Sequence, residues 1–159
     1  MRILAIDPGY DRVGIAILKG DASKPEVIHS ECFLTNRADT REIRLAGIAD
    51  RIRKIIKLYK PKRVAIETLF FGVNQKTGIG VAEARGVILA EAGRAGVAVT
   101  EFNPNSVKVA VTGYGASKKQ GVIDMVKRLV KINKKIKYDD EYDAIAIGIT
   151  TLATPSRKI

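Results

Sequence analysis

The sequence predicts an α/β fold: a mixed five-stranded sheet, three antiparallel strands followed by βα units, with helices on both faces. Three observations lead there. Residues 2–35 hold only strand-length apolar runs, so three strands follow one another and pair antiparallel. The apolar period then lengthens to the helical one at Leu45. Beyond it, short apolar runs alternate with helical ones, the pattern of parallel strands joined by crossovers. No repeat, low-complexity segment or linker divides the chain, which reads as one domain over 1–155 with a frayed tail at 156–159.

Ile3-Leu4-Ala5-Ile6 has no polar break and reads as a strand buried on both faces. It ends on Asp7, and Pro8-Gly9 turns the chain. Val13–Leu18 is the second strand, joined by the short Gly9–Arg12 link as a hairpin. Glu26–Thr35 is the third, with Ile28, Ser30, Cys32 and Leu34 on one face and Val27, His29, Glu31 and Phe33 on the other. Asp39-x-x-Glu42 reads as a capping box, followed by Leu45, Ile48, Ile52, Ile55, Ile56 and Tyr59 at helical spacing and closed by Pro61. Val64-Ala65-Ile66 is a fourth strand ending on Glu67.

A loop over 68–76 carries Leu69, Phe70 and Phe71. The next helix runs from about Thr77 to Ala95. Ala82, Gly86, Ala90 and Gly93 recur along it at three- and four-residue steps, a face for close contact with the sheet or with a second copy. Val97–Phe102 is the fifth strand. Asn103 caps a short helix with Pro104 at its first position and Gly113 at its end. Ser117-x-x-Gln120 caps another, to about Val130, and Lys131–Lys137 is a basic connector. Asp140-x-x-Asp143 opens a last helix, Ala144–Leu152, stopped by Pro155.

Lysine and arginine total 28 against 17 acids, a net charge of +11 over 159 residues. That balance suggests a polyanionic partner, most often nucleic acid, against the plainer reading of a solvated basic surface. Cys32 is the only cysteine, so no internal disulfide forms, which fits a reducing, cytoplasmic setting. With His29 the only histidine, packing and surface roles suit both better than a zinc site, which usually takes more cysteine and histidine than this. No apolar run is long enough to cross a bilayer, and the N-terminus reads directly into a strand without a targeting segment.

Asp7 and Glu67 both lie where buried strands leave the sheet, the edge at which open α/β sheets bind ligands. Asp140 and Asp143 are three apart at a helix start and point one way. Three of the four have a plain reading alone, Asp7 as a turn former and Asp140 and Asp143 as helix caps or dipole partners. Together they would repel, and a hard divalent cation removes that penalty. Mg²⁺ takes carboxylate and phosphate oxygen, and a pair of such ions can drive phosphodiester hydrolysis. A basic chain with an acidic metal site suits a nuclease.

The residues Ile6–Gly9 (Ile-Asp-Pro-Gly), Ile66-Glu67 followed by Phe70, and Asp140-x-x-Asp143-Ala-Ile-Ala-Ile resemble the RuvC family of Holliday junction resolvases. So do Asn105–Lys108, Val111–Gly115 and Lys118-Lys119-Gln120, in the same order along nearly the whole chain. The resemblance implies a ribonuclease-H-like fold and a homodimer that nicks two like-polarity strands of a four-way DNA junction during recombination and repair. It implies Asp7, Glu67, Asp140 and Asp143 as ligands of two Mg²⁺ ions, with Mn²⁺ as a substitute. Lys108 and Lys119 would lie near the cleaved phosphate, with Lys118 beside them on the DNA, and Phe70 would meet junction bases. A branch-migration helicase complex is the implied partner. Two points depart from the pattern: Asp139-Asp140-Glu141 makes three neighbouring acids, and Phe71 doubles the aromatic. Rival readings are another nuclease of this fold acting on RNA or single strands, a non-catalytic junction binder, and an actin-like kinase, for which the chain is too short.

Overall fold

The structure is a computed structural model and describes residues 1–69 and 75–154. Its elements are β1 (Ile3–Asp7), β2 (Arg12–Lys19), β3 (Glu26–Leu34), α1 (Arg41–Tyr59), β4 (Arg63–Glu67), α2 (Gln75–Arg94), β5 (Ala98–Phe102), α3 (Pro104–Thr112), α4 (Lys119–Leu129) and α5 (Asp139–Ala153). The strands form one sheet in the order β3-β2-β1-β4-β5. β1 pairs antiparallel with β2 and parallel with β4, and β4 pairs parallel with β5. β1 is therefore central, which is why its apolar run has no polar break: Ile3 to Ile6 are all fully buried. The expected mixed sheet is present.

Alternate residues of β1 feed two cores. Leu4 and Ile6 face Ile48, Ile52 and Ile55 of α1 and Ala84, Ile88 and Ala92 of α2. Ile3 and Ala5 face Val107 and Val111 of α3, Val122 and Val126 of α4, and Ala144 to Ile147 of α5. Helices thus cover both faces, as the period change predicts. On α2 the small residues divide: Ala84 and Ala92 are fully buried, while Gly86, Ala90 and Gly93 are exposed. The stripe at 86, 90 and 93 does not pack on the sheet.

Four local expectations are corrected. β3 carries a bulge: Ile17 pairs with His29 but Leu18 pairs with Val27, so Ile28 is the extra residue. The bulge turns Val27 onto the α3–α5 side, the side of Ser30, rather than the side of His29 and Phe33. α1 starts one residue late for the Asp39 box: Thr40 is the N-cap, without a side-chain bond, because the Asp39 amide already closes a turn onto the Asn36 carbonyl. α4 is capped at Lys118, since the Ser117 hydroxyl is taken by Thr112 at 2.7 Å. α5 starts at Asp139, so Asp140 lies in its first turn and Asp143 just beyond it, both inside the helix instead of preceding it. The cap at Asn103 is as expected, its Oδ1 accepting from the Ser106 amide at 2.8 Å.

Two glycines seat α5 on the sheet. A Cβ on Gly14 would fall inside the carbonyl oxygen of Asp140, and one on Gly148 would fall inside the Leu18 side chain. The first turn of α5 is further tied to β3 by buried Glu141, which accepts from the Ser30 hydroxyl at 2.6 Å and pairs with the Lys134 ammonium at 2.6 Å. The predicted tail at 156–159, with Pro155, lies outside the described residues.

Candidate active site

The site is built by three elements that end at one edge. Asp7 is the last residue of β1 and Glu67 the last of β4, and the two strands run parallel with Ile6 opposite Ile66. Their carboxylates leave the sheet side by side. Asp7 also stands opposite Gly14 on β2, and the bare Cα of Gly14 lets the α5 backbone come down onto the hairpin at Asp140. Asp140 and Asp143, one turn apart, then meet the other two acids.

Charge in this space is poorly balanced. Burial raises the Asp7 carboxyl well above the usual range, and the charges of Asp143, Glu67 and Asp140 push it further. Glu67 is moved from an ordinary value of 4.5 to about 7, by burial first and then by Asp143, against the pull of Lys108 and Lys119. Burial also raises Asp143, outweighing Lys119. Mutual influence of this kind requires the acids to share one region, as their spacing predicts.

Two cations pair directly with the aspartates. Lys119 Nζ lies 2.5 Å from Asp139 and 3.1 Å from Asp143, and the two carboxylates raise its pKa despite partial burial. Arg12 Nε lies 3.0 Å from Asp140 Oδ2. That contact is an ion pair and not an aligned hydrogen bond, because Oδ2 is buried without a hydrogen-bond partner. Asp139 faces outward onto Lys119, which holds its carboxyl below the usual range. Of the two neighbouring aspartates, Asp140 is therefore the one turned to Asp7.

Lys108 and Lys119 join Glu67 and Asp143 in lining a cleft of about 240 Å³. Lys118 is exposed at the start of α4 and does not line it. Phe70 and Phe71 lie outside the described residues. His29 stacks on Tyr59 at 5.3 Å, and Cys32, pushed up to about 11 by burial and then Asp140, is held as a thiol. Sequence reasoning missed Gly14, Arg12 and the Glu141 brace. A glycine inside an apolar strand is itself a sign of close backbone approach, so Gly14 was findable. Arg12 and Glu141 carry no such sign.

The donor set can be tested against a metal. Four carboxylates supply only hard oxygen, with excess negative charge and one buried oxygen lacking a hydrogen bond, which suits Mg²⁺ or a similar cation. Among the described residues no three of these side chains yet close on a single point as a finished ligand group. Lys119 pairs with Asp143, and Arg12 with Asp140. The residue types fit a hard divalent ion.

Comparison with known proteins decides the family. A sequence profile described as "Crossover junction endodeoxyribonuclease RuvC" matches residues 3–151. The chain belongs to the RuvC family. A RuvC of Fusobacterium nucleatum is 40% identical over 159 residues, covering 100% of this chain and 84% of that protein. A RuvC of Caldanaerobacter subterraneus is 40% identical over 149 residues, 94% of this chain and 90% of its own. Among solved structures, Thermus thermophilus RuvC in complex with a Holliday junction superposes with a TM-score of 0.88 at 29% identity, over 94% of this chain and 92% of that one. The fold is thus ribonuclease-H-like and the RuvC chain is a nuclease. Nucleases of the RuvC family depend on metal. No helix among the described residues is long and apolar enough to cross a membrane.

Proposed function

We propose that this chain is a crossover junction endodeoxyribonuclease that resolves four-way DNA junctions by Mg²⁺-dependent paired nicking during recombination and repair. The observation that carries the metal site is the uncompensated carboxylate group: Asp7 is raised by burial and by three neighbouring acids at once. Asp7, Glu67, Asp140 and Asp143 would hold Mg²⁺, with Mn²⁺ as a substitute. Bound there, the ions would supply the Lewis acidity that activates water and neutralises the leaving oxygen.

The chain's own residues do the rest. Lys108 and Lys119, at the cleft beside Glu67, draw the scissile phosphate to the acids and meet the charge that grows on it in the transition state. Release of Lys119 from Asp143 frees the carboxylate and the ammonium together. Lys118 extends the basic surface, and Phe70 or Phe71 supplies the ring on which a junction base stacks. A net charge of +11 supplies the sequence-independent part of DNA affinity. The localisation this implies is cytoplasmic.

A junction has approximate two-fold symmetry, and one group of four acids cuts one strand at a time. A two-fold dimer supplies the second centre. Exposure of Gly86, Ala90 and Gly93 supports α2 as the contact between copies. A branch-migration helicase would present the junction. The test is a labelled mobile four-way junction, with a single-stranded DNA and an RNA of the same sequence as controls. Symmetric paired nicks with Mg²⁺ and none with chelator are expected. Cutting of the single strands in preference to the junction would replace the proposal with the rival nuclease reading, and binding without nicking would leave a junction binder. Sedimentation of wild type and Gly86→Arg should give a dimer and a monomer.

A further inference from the structure

The cleft of Lys108 and Lys119 is not the only opening that reaches the acids. A second cleft, of about 720 Å³, meets the acids at Asp140 and spreads over the hairpin, the end of β3 and the start of α1. Along the sheet order, Asp7 on β1 is central, Lys108 and Lys119 flank the β4–β5 side, and this cleft occupies the β2–β3 side. Its walls carry Arg12, Arg37 and Arg41, together with Tyr138.

These arginines are built in, each held at one end by an acid. Arg37 donates to Asp11 at 2.8 Å, and Arg41 donates to Glu83 at 3.0 Å. Arg12 is paired with Asp140, and its guanidinium lies 5.1 Å over the Tyr138 ring. The Asp11 carboxylate is itself satisfied by Arg37 and Arg44, so it does not face the cleft unpaired. The side chains of Arg37 and Arg41 remain 80% and 60% exposed. A guanidinium has five N–H donors, so a tether to one carboxylate leaves a free edge aimed by that tether. Such a fork matches the two non-bridging oxygens of a phosphodiester. The cleft is within the size range of nucleotide-sized ligand sites.

We infer that this cleft is the seat of the cut strand on one side of the scissile phosphate. Arg37 and Arg41 each take a backbone phosphate, and Arg12 takes the one nearest Asp140. The strand then crosses the edge of the sheet from the lysine cleft, over the acids, into the arginine cleft. The inference rests on the junction-nuclease reading, and it names residues on which that reading does not depend. Arg12 has a double part: a phosphate in the cleft draws its guanidinium away from Asp140, leaving that carboxylate open to metal.

The experiment uses full-length protein in chelator, so that binding is read without cutting. Junctions carry one neutral methylphosphonate at successive positions on either side of the cleavage site, and affinity is measured by fluorescence anisotropy. For wild type, neutralising one or two phosphates on one side should weaken binding roughly tenfold each, as removal of a charge-assisted bond does. The variant Arg37→Ala/Arg41→Ala should bind less tightly at every salt concentration, with a salt slope shallower by about 0.9 for each phosphate that the protein no longer neutralises. It should also be insensitive to those same neutral phosphates, since each partner of an ion pair is needed for the other to matter. The single variant Arg37→Gln, at the more exposed position, repeats the test should the double variant unfold. Equal sensitivity of wild type and variant at every phosphate, or an unchanged salt slope, overturns the inference. Failure of wild type to bind any junction would instead overturn the nuclease reading beneath it.

Discussion

Asp7 and Glu91 are both acids set into the body of the protein, and their surroundings are opposite. Glu91, on α2 and almost fully buried, accepts from Arg53 at 2.9 and 3.0 Å and from Arg94 at 2.5 Å. The bond from Arg53 comes first among the effects that hold its carboxyl below the usual range. Asp7 has other acids for company and is raised by all of them. Glu141 belongs with Glu91, bonded by Ser30 and Lys134. Where the protein uses a buried carboxylate as a brace, it supplies the partners. At the site edge it leaves part of the charge unmatched, which is what the proposed metal ions would neutralise.

The widest separation between the two regions should come from removing each acid's charge. Asp7→Asn is expected to lower junction nicking at least ~10³-fold, since several kcal/mol of charge stabilisation in the transition state goes with the metal. Its melting temperature in chelator at pH 8 should hold or rise, because a repelling charge is gone. Glu91→Gln should do the reverse, costing about 1–3 kcal/mol of stability while specific nicking by the folded fraction persists. An Asp7→Asn protein that unfolds, or a stable Glu91→Gln protein, would break the contrast. Parallel denaturant melts and junction assays read both.

Next in size is the cation beside the acids. Lys119→Ala should reduce nicking by about 10²–10³, with junction affinity in chelator changed much less, if its charge matters most in the transition state. An affinity loss matching the rate loss would move Lys119 out of the chemistry and onto the general DNA surface.

Gly14→Ala probes the geometry that brings the acids together. The added methyl must displace α5 from the hairpin, at a cost of about 1–3 kcal/mol, and a shift of about an ångström at Asp140 should lower nicking ~10²-fold. Nicking at wild-type rate would mean that the approach of α5 to β2 does not set the site.

The smallest effect is a dependence of stability on pH. Glu67 titrates near 7 in the folded, metal-free protein, against 4.5 ordinarily, so the folded state holds more protons across that window. Stability must therefore fall as pH rises from about 4.5 through 7, and Asp7 and Asp143, raised as well, add to the fall. Thermal melts in chelator should drop by a few degrees between pH 5.5 and 8, with Mg²⁺ restoring more at pH 8 than at pH 5.5. A flat profile would place the carboxylates farther apart than the structure has them.

Much of this was legible in the sequence because local and global signals agreed. The unbroken run before Asp7 announced the central strand, and the change of period at Leu45 announced the helical layer. The four acids could be grouped because strand ends and a helix start are places where side-chain direction is fixed. Misreadings arose where tertiary contacts overrode a local pattern. Strict alternation assigned Val27 to the wrong face because nothing in the residues around Ile28 marks a bulge. Ser117 has the right spacing to Gln120 for a cap, but its hydroxyl is claimed by Thr112 of the preceding helix. Arg12 was unreadable for another reason: an arginine in a hairpin link has no partner until α5 is folded over it.

The two bare positions where α5 meets the sheet, Gly14 below and Gly148 on the helix, have a mechanical consequence. Contact at Gly14 and at Gly148 seats the helix at two points along its length, one at the site end and one a little over two turns farther on. A rod seated at two points cannot rock without losing contact at one of them. Asp140 and Asp143, side by side on that rod, therefore keep their spacing and approach or leave Asp7 as a unit. Under the proposed function, adjustment to an arriving ion or phosphate falls first to the side chains at the edge, chiefly Arg12 and Lys119.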